Sequence, residues 1–131
     1  MKQIFFCFLA ICLSSCGTWK HSDSFTYEAV NVADFQKRLK ETSDYILIDV
    51  RTKGEYKKGH IENALNVSYL GSDFKELIEK LPKDKLVFMY CETQHRSPLA
   101  SKLMKRKGFC HIIDLQGGFI KWEHQNMPMV K

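Results

Sequence analysis

The chain has 131 residues, of which 44% are hydrophobic and 27% are charged, and its formal net charge is +5. These values predict one globular domain with enough apolar residues for its own core. The 20 Lys and Arg residues are scattered among 15 Asp and Glu residues, which indicates a solvated surface and argues against nucleic acid as a partner.

The first residues have the pattern of a secretory signal. Lys2 precedes an apolar run at 4–13, which is shorter than the about 20 residues that a membrane-spanning helix needs. The following sequence LSSC, at 13–16, resembles the lipobox of bacterial lipoproteins, in which the cysteine receives a lipid before the chain is cut in front of it. We therefore expect a lipid on Cys16. An ordinary cleaved signal and an uncleaved anchor are the alternatives.

This pattern divides the chain into three parts. Residues 1–15 are predicted to be the lipoprotein signal peptide, residues 16–24 a polar lipidated tether, and residues 25–131 the folded domain. The expected location is the bacterial cell envelope on the periplasmic side, with membrane contact through the lipid on Cys16. The sequence does not distinguish the inner from the outer membrane.

Strand and helix patterns alternate through the predicted domain. Nearly unbroken apolar strands predict a five-stranded, mostly parallel sheet with helices on both faces, an α/β fold whose sites lie at the carboxyl ends of strands. Strands are predicted at 25–30, 45–50, 64–67, 86–90 and 112–115. Helices are predicted after the N-cap Asn31, at 53–58, at 72–81, from Ser97 to a stop at Gly108, and at 119–125.

The central strand ends in Cys91, and a helix pattern follows after a short loop. Ser97 is predicted to cap that helix with its hydroxyl, and Pro98 suits the first helical position. A sulfur placed here lies in a ring of backbone N–H groups, next to the positive end of the helix dipole and to Arg96. This arrangement predicts a nucleophilic thiolate combined with anion binding.

Only four residues separate Cys91 from Arg96, whereas phosphatase loops of this kind have five. The loop CETQHR resembles the active loop of the rhodanese family. Two further stretches resemble the same family, IDVRTKGEYKKGHIENALNV at 48–67 and DLQGGFIKWE at 114–123. All three occur in the order and spacing that the family has.

The resemblance implies a single rhodanese-like domain with sulfurtransferase activity. A sulfane sulfur would move from thiosulfate or a persulfide donor to a thiol or cyanide acceptor, through a persulfide on Cys91. The partners implied are a small sulfur-containing anion and a thiol acceptor, with no metal or organic cofactor, and we expect a monomer. The implied site comprises the catalytic Cys91 and Arg96, the substrate-binding loop residues Glu92, Thr93, Gln94, His95 and Ser97, and the supporting Asp49 and Arg51.

The loop departs from the common family pattern at two positions. Many members have glycine where this chain has Gln94, so either a positive φ is not needed there or strain of about 1 kcal/mol is accepted. Glu92 brings a negative charge that would oppose thiosulfate binding, and a protonated His95 would partly offset it. We therefore expect thiosulfate to be a poor donor, with persulfides as an alternative.

Other residues are interpreted as structural. Cys110 falls at the opposite end of a neighbouring parallel strand, too far from Cys91 for a disulfide, and is expected to be buried or half-buried. Glu55 and His60 are expected to make structural hydrogen bonds, and Gly117-Gly118 to turn the chain without a chemical role. A non-catalytic binding or sulfur-sensing module is the competing interpretation, and loop length disfavours a phosphatase or arsenate reductase.

Overall fold

Five parallel strands form one sheet in the computed structural model, which describes residues 24–131. The predicted signal peptide and most of the predicted tether, including Cys16, lie outside the described residues. The sheet order is β1-β5-β4-β2-β3, and every pairing is parallel. The strands are β1 (Thr26–Val30), β2 (Tyr45–Asp49), β3 (Leu65–Asn66), β4 (Leu86–Tyr90) and β5 (His111–Leu115).

Helices cover both faces of this sheet, as predicted. They are α1 (Val32–Glu41), α2 (Lys53–Lys58), α3 (Phe74–Glu79), α4 (Arg96–Arg106) and α5 (Gly118–His124). One apolar core includes Ile78 of α3 and Met104 of α4, and the other includes Phe35 of α1 and Trp122 of α5. Because β4 lies at the centre and is covered on both faces, its sequence is apolar without alternation.

Local sequence patterns predicted most helix and strand boundaries to within one or two residues of those in the structure. The Asn31 side chain accepts a hydrogen bond from the backbone N–H of Asp34, as expected for an N-cap. The α3 helix is shorter than the predicted 72–81, and β3 has two residues rather than four. The predicted start of α4 was wrong by two residues, since the helix begins at Arg96 rather than Pro98 and His95 rather than Ser97 occupies the N-cap position.

The two cysteines of the described region lie at opposite edges of the sheet. Cys91 follows the carboxyl end of β4, and Cys110 immediately precedes β5. Both are free thiols, and Cys110 is half-buried, as predicted. In residues 24–131 no helix has the length and apolar character that crossing a membrane requires.

Candidate active site

Cys91 lies at the floor of the loop between β4 and α4 and has no exposed surface. Two N–H groups at the start of α5 hold this part of the loop. Phe119 donates to the Cys91 carbonyl at 2.8 Å, and Ile120 donates to the Glu92 carbonyl at 3.1 Å. The first turn of α5 therefore fixes the backbone of the cysteine, a contribution that the sequence interpretation of Gly117-Gly118 missed.

Gly118 is required where α5 meets the loop. Its φ is +70°, and a Cβ placed there would lie 2.6 Å from the Cys91 carbonyl oxygen and overlap the Glu92 carbonyl. A real Cβ never comes this close to backbone atoms, so any side chain at this position must push the loop away from α5.

Gly118→Ala is therefore expected to lower the free energy of unfolding by more than about 2 kcal/mol, because strain at positive φ adds to the overlap with the loop. The measurement is chemical unfolding followed by circular dichroism. Gly54→Ala in α2 is the matched control, since the nearest atom to its Cβ would be the Thr52 hydroxyl at 4.0 Å. An equal effect of the two substitutions would contradict this account of Gly118.

Gln94 adopts a strained backbone conformation, which is one of the two alternatives that the sequence left open. Its φ is +68°, in the left-handed region that glycine usually occupies. Its side-chain oxygen accepts a hydrogen bond from the Gly117 N–H at 2.9 Å, and its amide nitrogen lies 3.4 Å from an Asp114 carboxylate oxygen. These contacts compensate the strain and tie the loop to the segment before α5.

The backbone N–H groups of the loop are left free of hydrogen bonds to other backbone groups of the described residues. Within the described chain, no backbone N–H between Glu92 and Ser97 donates to a backbone carbonyl. The exposed Thr93 and His95 side chains bond to each other, with 2.8 Å between the hydroxyl and Nδ1. A ring of unpaired N–H groups above a cysteine can bind an anion or a negatively charged sulfur.

Arg96 is held by a carboxylate from another helix. Its two terminal nitrogens donate to the two Glu55 oxygens at 2.8 and 2.7 Å. Glu55 also closes a capping box with Thr52 at the start of α2. The hydrogen bonds from Arg96 are the main reason that the pKa of Glu55 is lowered to about 2. Glu55 is thus structural, as predicted, but its partner is the predicted catalytic arginine.

Arg51 lies beneath the loop and is almost fully buried. Its guanidinium donates to the Asp49 carboxylate, to the Gly59 carbonyl and to Glu92, the last at 3.0 Å. Burial alone would lower the pKa of Arg51, but the hydrogen bonds and charges of the two carboxylates outweigh it and raise that pKa. Asp49 and Arg51 therefore lie next to the loop, and the Glu92 charge is offset by an ion pair that the sequence did not reveal.

Ser97 does not cap α4, which corrects the prediction. No side chain caps this helix, and the Ser97 hydroxyl instead donates to Asp114 at 2.8 Å. The same hydroxyl oxygen lies 3.6 Å from the Cys91 sulfur. Ser97 is the second residue of α4 and is fully buried, so its hydroxyl lies in the core, where the Asp114 carboxylate is a strong acceptor.

Asp114 is the residue of this site that sequence reasoning missed. It is fully buried in β5, and Tyr27 of β1 also donates to it at 2.5 Å. The available signal was one acid among the apolar residues that follow His111 in the strand HIIDL, since an unpaired acid is seldom buried. In the part of the chain that is described, no group of three His, Cys, Asp or Glu residues could hold a metal ion.

Several known proteins are similar to this chain in architecture and in sequence. The family model of the rhodanese-like domain matches residues 31–125. A sulfurtransferase of Allochromatium vinosum is 30% identical over 101 residues, which cover 77% of this chain and 92% of that protein. The crystal structure of a rhodanese-related protein from Thermoplasma volcanium superimposes with a TM-score of 0.69 and 30% identity, covering 79% of this chain and 98% of that one. The chain therefore belongs to the rhodanese-like domain family.

Longer proteins also contain a similar segment. The tRNA uridine(34) hydroxylase of Salmonella heidelberg is 33% identical over 122 residues, which cover 82% of this chain. The match spans only 34% of that protein. The likeness is thus to one segment of the hydroxylase.

Proposed function

We propose that this domain is a sulfurtransferase in which Cys91 carries the transferred sulfur. The Cys91 thiolate attacks the outer sulfur of thiosulfate or of a persulfide. A new S–S bond forms at Cys91, the donor S–S bond breaks, and sulfite or a thiolate leaves with the electron pair. A thiol or cyanide acceptor then attacks the outer sulfur of the persulfide, which releases the Cys91 thiolate.

The observation that carries this proposal is a buried cysteine that begins a loop whose backbone N–H groups make no backbone hydrogen bond within the described residues. Persulfide and thiolate sulfur are both anionic, and N–H dipoles fixed before the reaction stabilise charge without reorganising. Arg96 adds a cation at the rim of the same loop. The similarity to a sulfurtransferase over nearly the whole of that relative supports the same class of reaction.

The proposal includes both thiosulfate and persulfides as sulfur donors. The Glu92 carboxylate was expected to oppose thiosulfate, but its ion pair with Arg51 directs part of its charge away from the loop mouth. Its side chain is 33% exposed, so solvent weakens its field further. We also propose attachment to the bacterial envelope through a lipid on Cys16, which rests only on the sequence pattern of residues 2–16.

Cys91→Ser is expected to abolish persulfide formation while the domain stays folded, because a serine hydroxyl is not ionised near neutral pH and cannot carry a sulfane sulfur. The measurement is a mass increase of one sulfur on the tryptic peptide 86–96, after incubation with thiosulfate and separately with glutathione persulfide. This peptide contains Cys91 and no other cysteine.

Cys110→Ser is the matched control, since that thiol lies at the far edge of the sheet and should not affect the reaction. Equal loss in both variants would point instead to a two-cysteine redox reaction. A wild-type protein that accepts sulfur from neither donor would favour the non-catalytic binding module.

A further inference from the structure

Asp114 is a buried carboxylate with an uneven set of partners. Its Oδ2 accepts hydrogen bonds from the hydroxyls of Tyr27 and Ser97, and the Gln94 amide lies within 3.4 Å. Its Oδ1 is buried and makes no regular hydrogen bond in the described region, although the Leu115 backbone N–H is near enough to the carboxyl group to lower its pKa. An ionised carboxylate with one oxygen unsatisfied in the core is costly, so this site favours the protonated form.

The pKa of Asp114 agrees with this geometry. Burial raises it to about 6, although the hydrogen bonds from Tyr27, Ser97 and Gln94 act to lower it. The carboxyl group therefore changes its charge near neutral pH, directly behind the loop that holds Cys91.

Ser97 connects this carboxyl group to the cysteine sulfur. Its hydroxyl oxygen lies 2.8 Å from Asp114 Oδ2 and 3.6 Å from Cys91 Sγ. A hydroxyl has one hydrogen to donate, so it can serve the carboxylate or the sulfur, but not both at once.

We propose that Asp114 is a positioning residue that decides, through Ser97, whether the Cys91 sulfur receives a hydrogen bond. The inference rests on the proposed function only in that the Cys91 sulfur is the nucleophile. Asp114 touches neither sulfur nor donor, and it acts through the serine.

Two arrangements follow from the two protonation states of Asp114. When Oδ2 carries a proton, the carboxylic O–H donates a hydrogen bond to the Ser97 oxygen. The Ser97 hydrogen is then free to bond to the Cys91 thiolate. When that proton has gone to solvent, the Ser97 hydrogen bonds to Oδ2, and the serine oxygen faces Cys91 as an acceptor for its S–H. The ionised carboxylate thus withdraws a donor from the sulfur and adds a repelling negative charge behind it.

Tyr27 and Arg96 keep their charge over the same pH range. Burial and the Asp114 contact raise the pKa of Tyr27, so it stays neutral. The Glu55 hydrogen bonds raise the pKa of Arg96, so it stays positive. The side chains facing Asp114 are Tyr27 from β1, Gln94 from the loop and Ser97 from α4, with the Cys91 sulfur on the far side of the Ser97 hydroxyl.

The test compares the rate at which iodoacetamide alkylates Cys91 in wild type and in Asp114→Asn, between pH 5 and pH 8. The full chain is used, and the product is read on the tryptic peptide 86–96. We expect the ratio of variant to wild-type rate to be near one at pH 5 and to rise to about tenfold at pH 8, with a midpoint near pH 6. His95 is present in both proteins, so its contribution to the rate cancels in the ratio.

Ser97→Ala and Tyr27→Phe separate the switch from a merely structural role. In the Ser97→Ala background the Asp114→Asn gain should fall to about threefold or less, since only the through-space charge is left. Tyr27→Phe removes a donor to Oδ2 without touching the sulfur, and should therefore move the midpoint to higher pH. A ratio that is constant with pH, or one below unity at pH 8, would overturn the proposal.

Two further measurements keep the test decisive. If Asp114→Asn does not fold, the ¹³C shift of the Asp114 carboxyl in wild type must titrate near pH 6 and move upward in Tyr27→Phe, or the proposal fails. Alkylation needs no sulfur donor, so it tests this inference separately from the proposed function. If the protein forms the persulfide but the ratio of alkylation rates does not change with pH, only this inference is refuted. If the ratio changes as expected but the protein transfers no sulfur, only the proposed function is refuted.

Discussion

Arg51→Met is expected to lower the free energy of unfolding by about 3 to 5 kcal/mol, the range for removing one partner of a buried ion pair. Arg51 and Asp49 have 3% and 0% of their side chains exposed, so water cannot replace the lost guanidinium. Methionine preserves most of the packing against the Phe119 ring, which lies 3.9 Å from the guanidinium carbon. The loss therefore reports the uncompensated carboxylate and the unpaired Gly59 carbonyl. Urea unfolding monitored by circular dichroism measures it.

Arg38→Met is the matched control for this prediction. Arg38 also bonds to both oxygens of one carboxylate, that of Glu28, at 2.7 and 2.9 Å. Both side chains are well exposed, at 39% and 51%, so water and salt screen the pair. The free energy of unfolding should stay nearly unchanged. If both variants lost stability equally, burial would not be the cause of the Arg51 effect.

Arg96→Ala is expected to reduce kcat/KM for the proposed sulfur transfer roughly 30- to 1,000-fold, equivalent to about 2 to 4 kcal/mol of transition-state stabilisation. The alanine variant keeps the loop N–H groups but removes the one Arg or Lys side chain of the loop sequence CETQHR at 91–96. Arg96→Lys should recover little activity, because an ammonium group cannot make the two parallel bonds to Glu55 that fix the guanidinium. Steady-state rates with thiosulfate and with a persulfide donor measure both variants.

Glu55→Gln is the control that separates charge from position at Arg96. It keeps the guanidinium but weakens its anchor, so a smaller loss than that of Arg96→Ala is expected. A loss below about threefold in Arg96→Ala would mean that the N–H ring alone stabilises the transition state.

The pH dependence of the Arg96–Glu55 pair has a defined sign. The pKa of Glu55 falls from its usual 4.5 to about 2 in the folded protein, chiefly through the Arg96 hydrogen bonds. The pair therefore contributes stability above pH 4.5, which is lost as the pH falls through 2. It stays intact throughout an assay between pH 5 and 8, so a change of rate near pH 6 has to come from another group, such as Asp114.

The sequence by itself determined the fold class, the strand–loop–helix unit around Cys91 and the sheet edge at which that unit lies. Each of these rests on local patterns: apolar runs for buried strands, the 3.6-residue period for helices, and the parallel order that strand–helix alternation imposes. The Asn31 cap was equally local, because its partner Asp34 lies three residues away. The family resemblance implied which residues form the candidate site.

Only the tertiary structure decided what those residues contact. Arg96 with Glu55 and Arg51 with Glu92 are each 41 residues apart, so no local pattern links them. Ser97 looked like a cap because its sequence neighbours form a helix start, yet a strand 17 residues away supplies a buried acceptor. The sheet order sets β4 between β2 and β5, which brings Arg51 to one side of the Cys91 loop and Asp114 to the other. Charge pairing across such distances depends on which strands become neighbours, and that is a property of the assembled sheet.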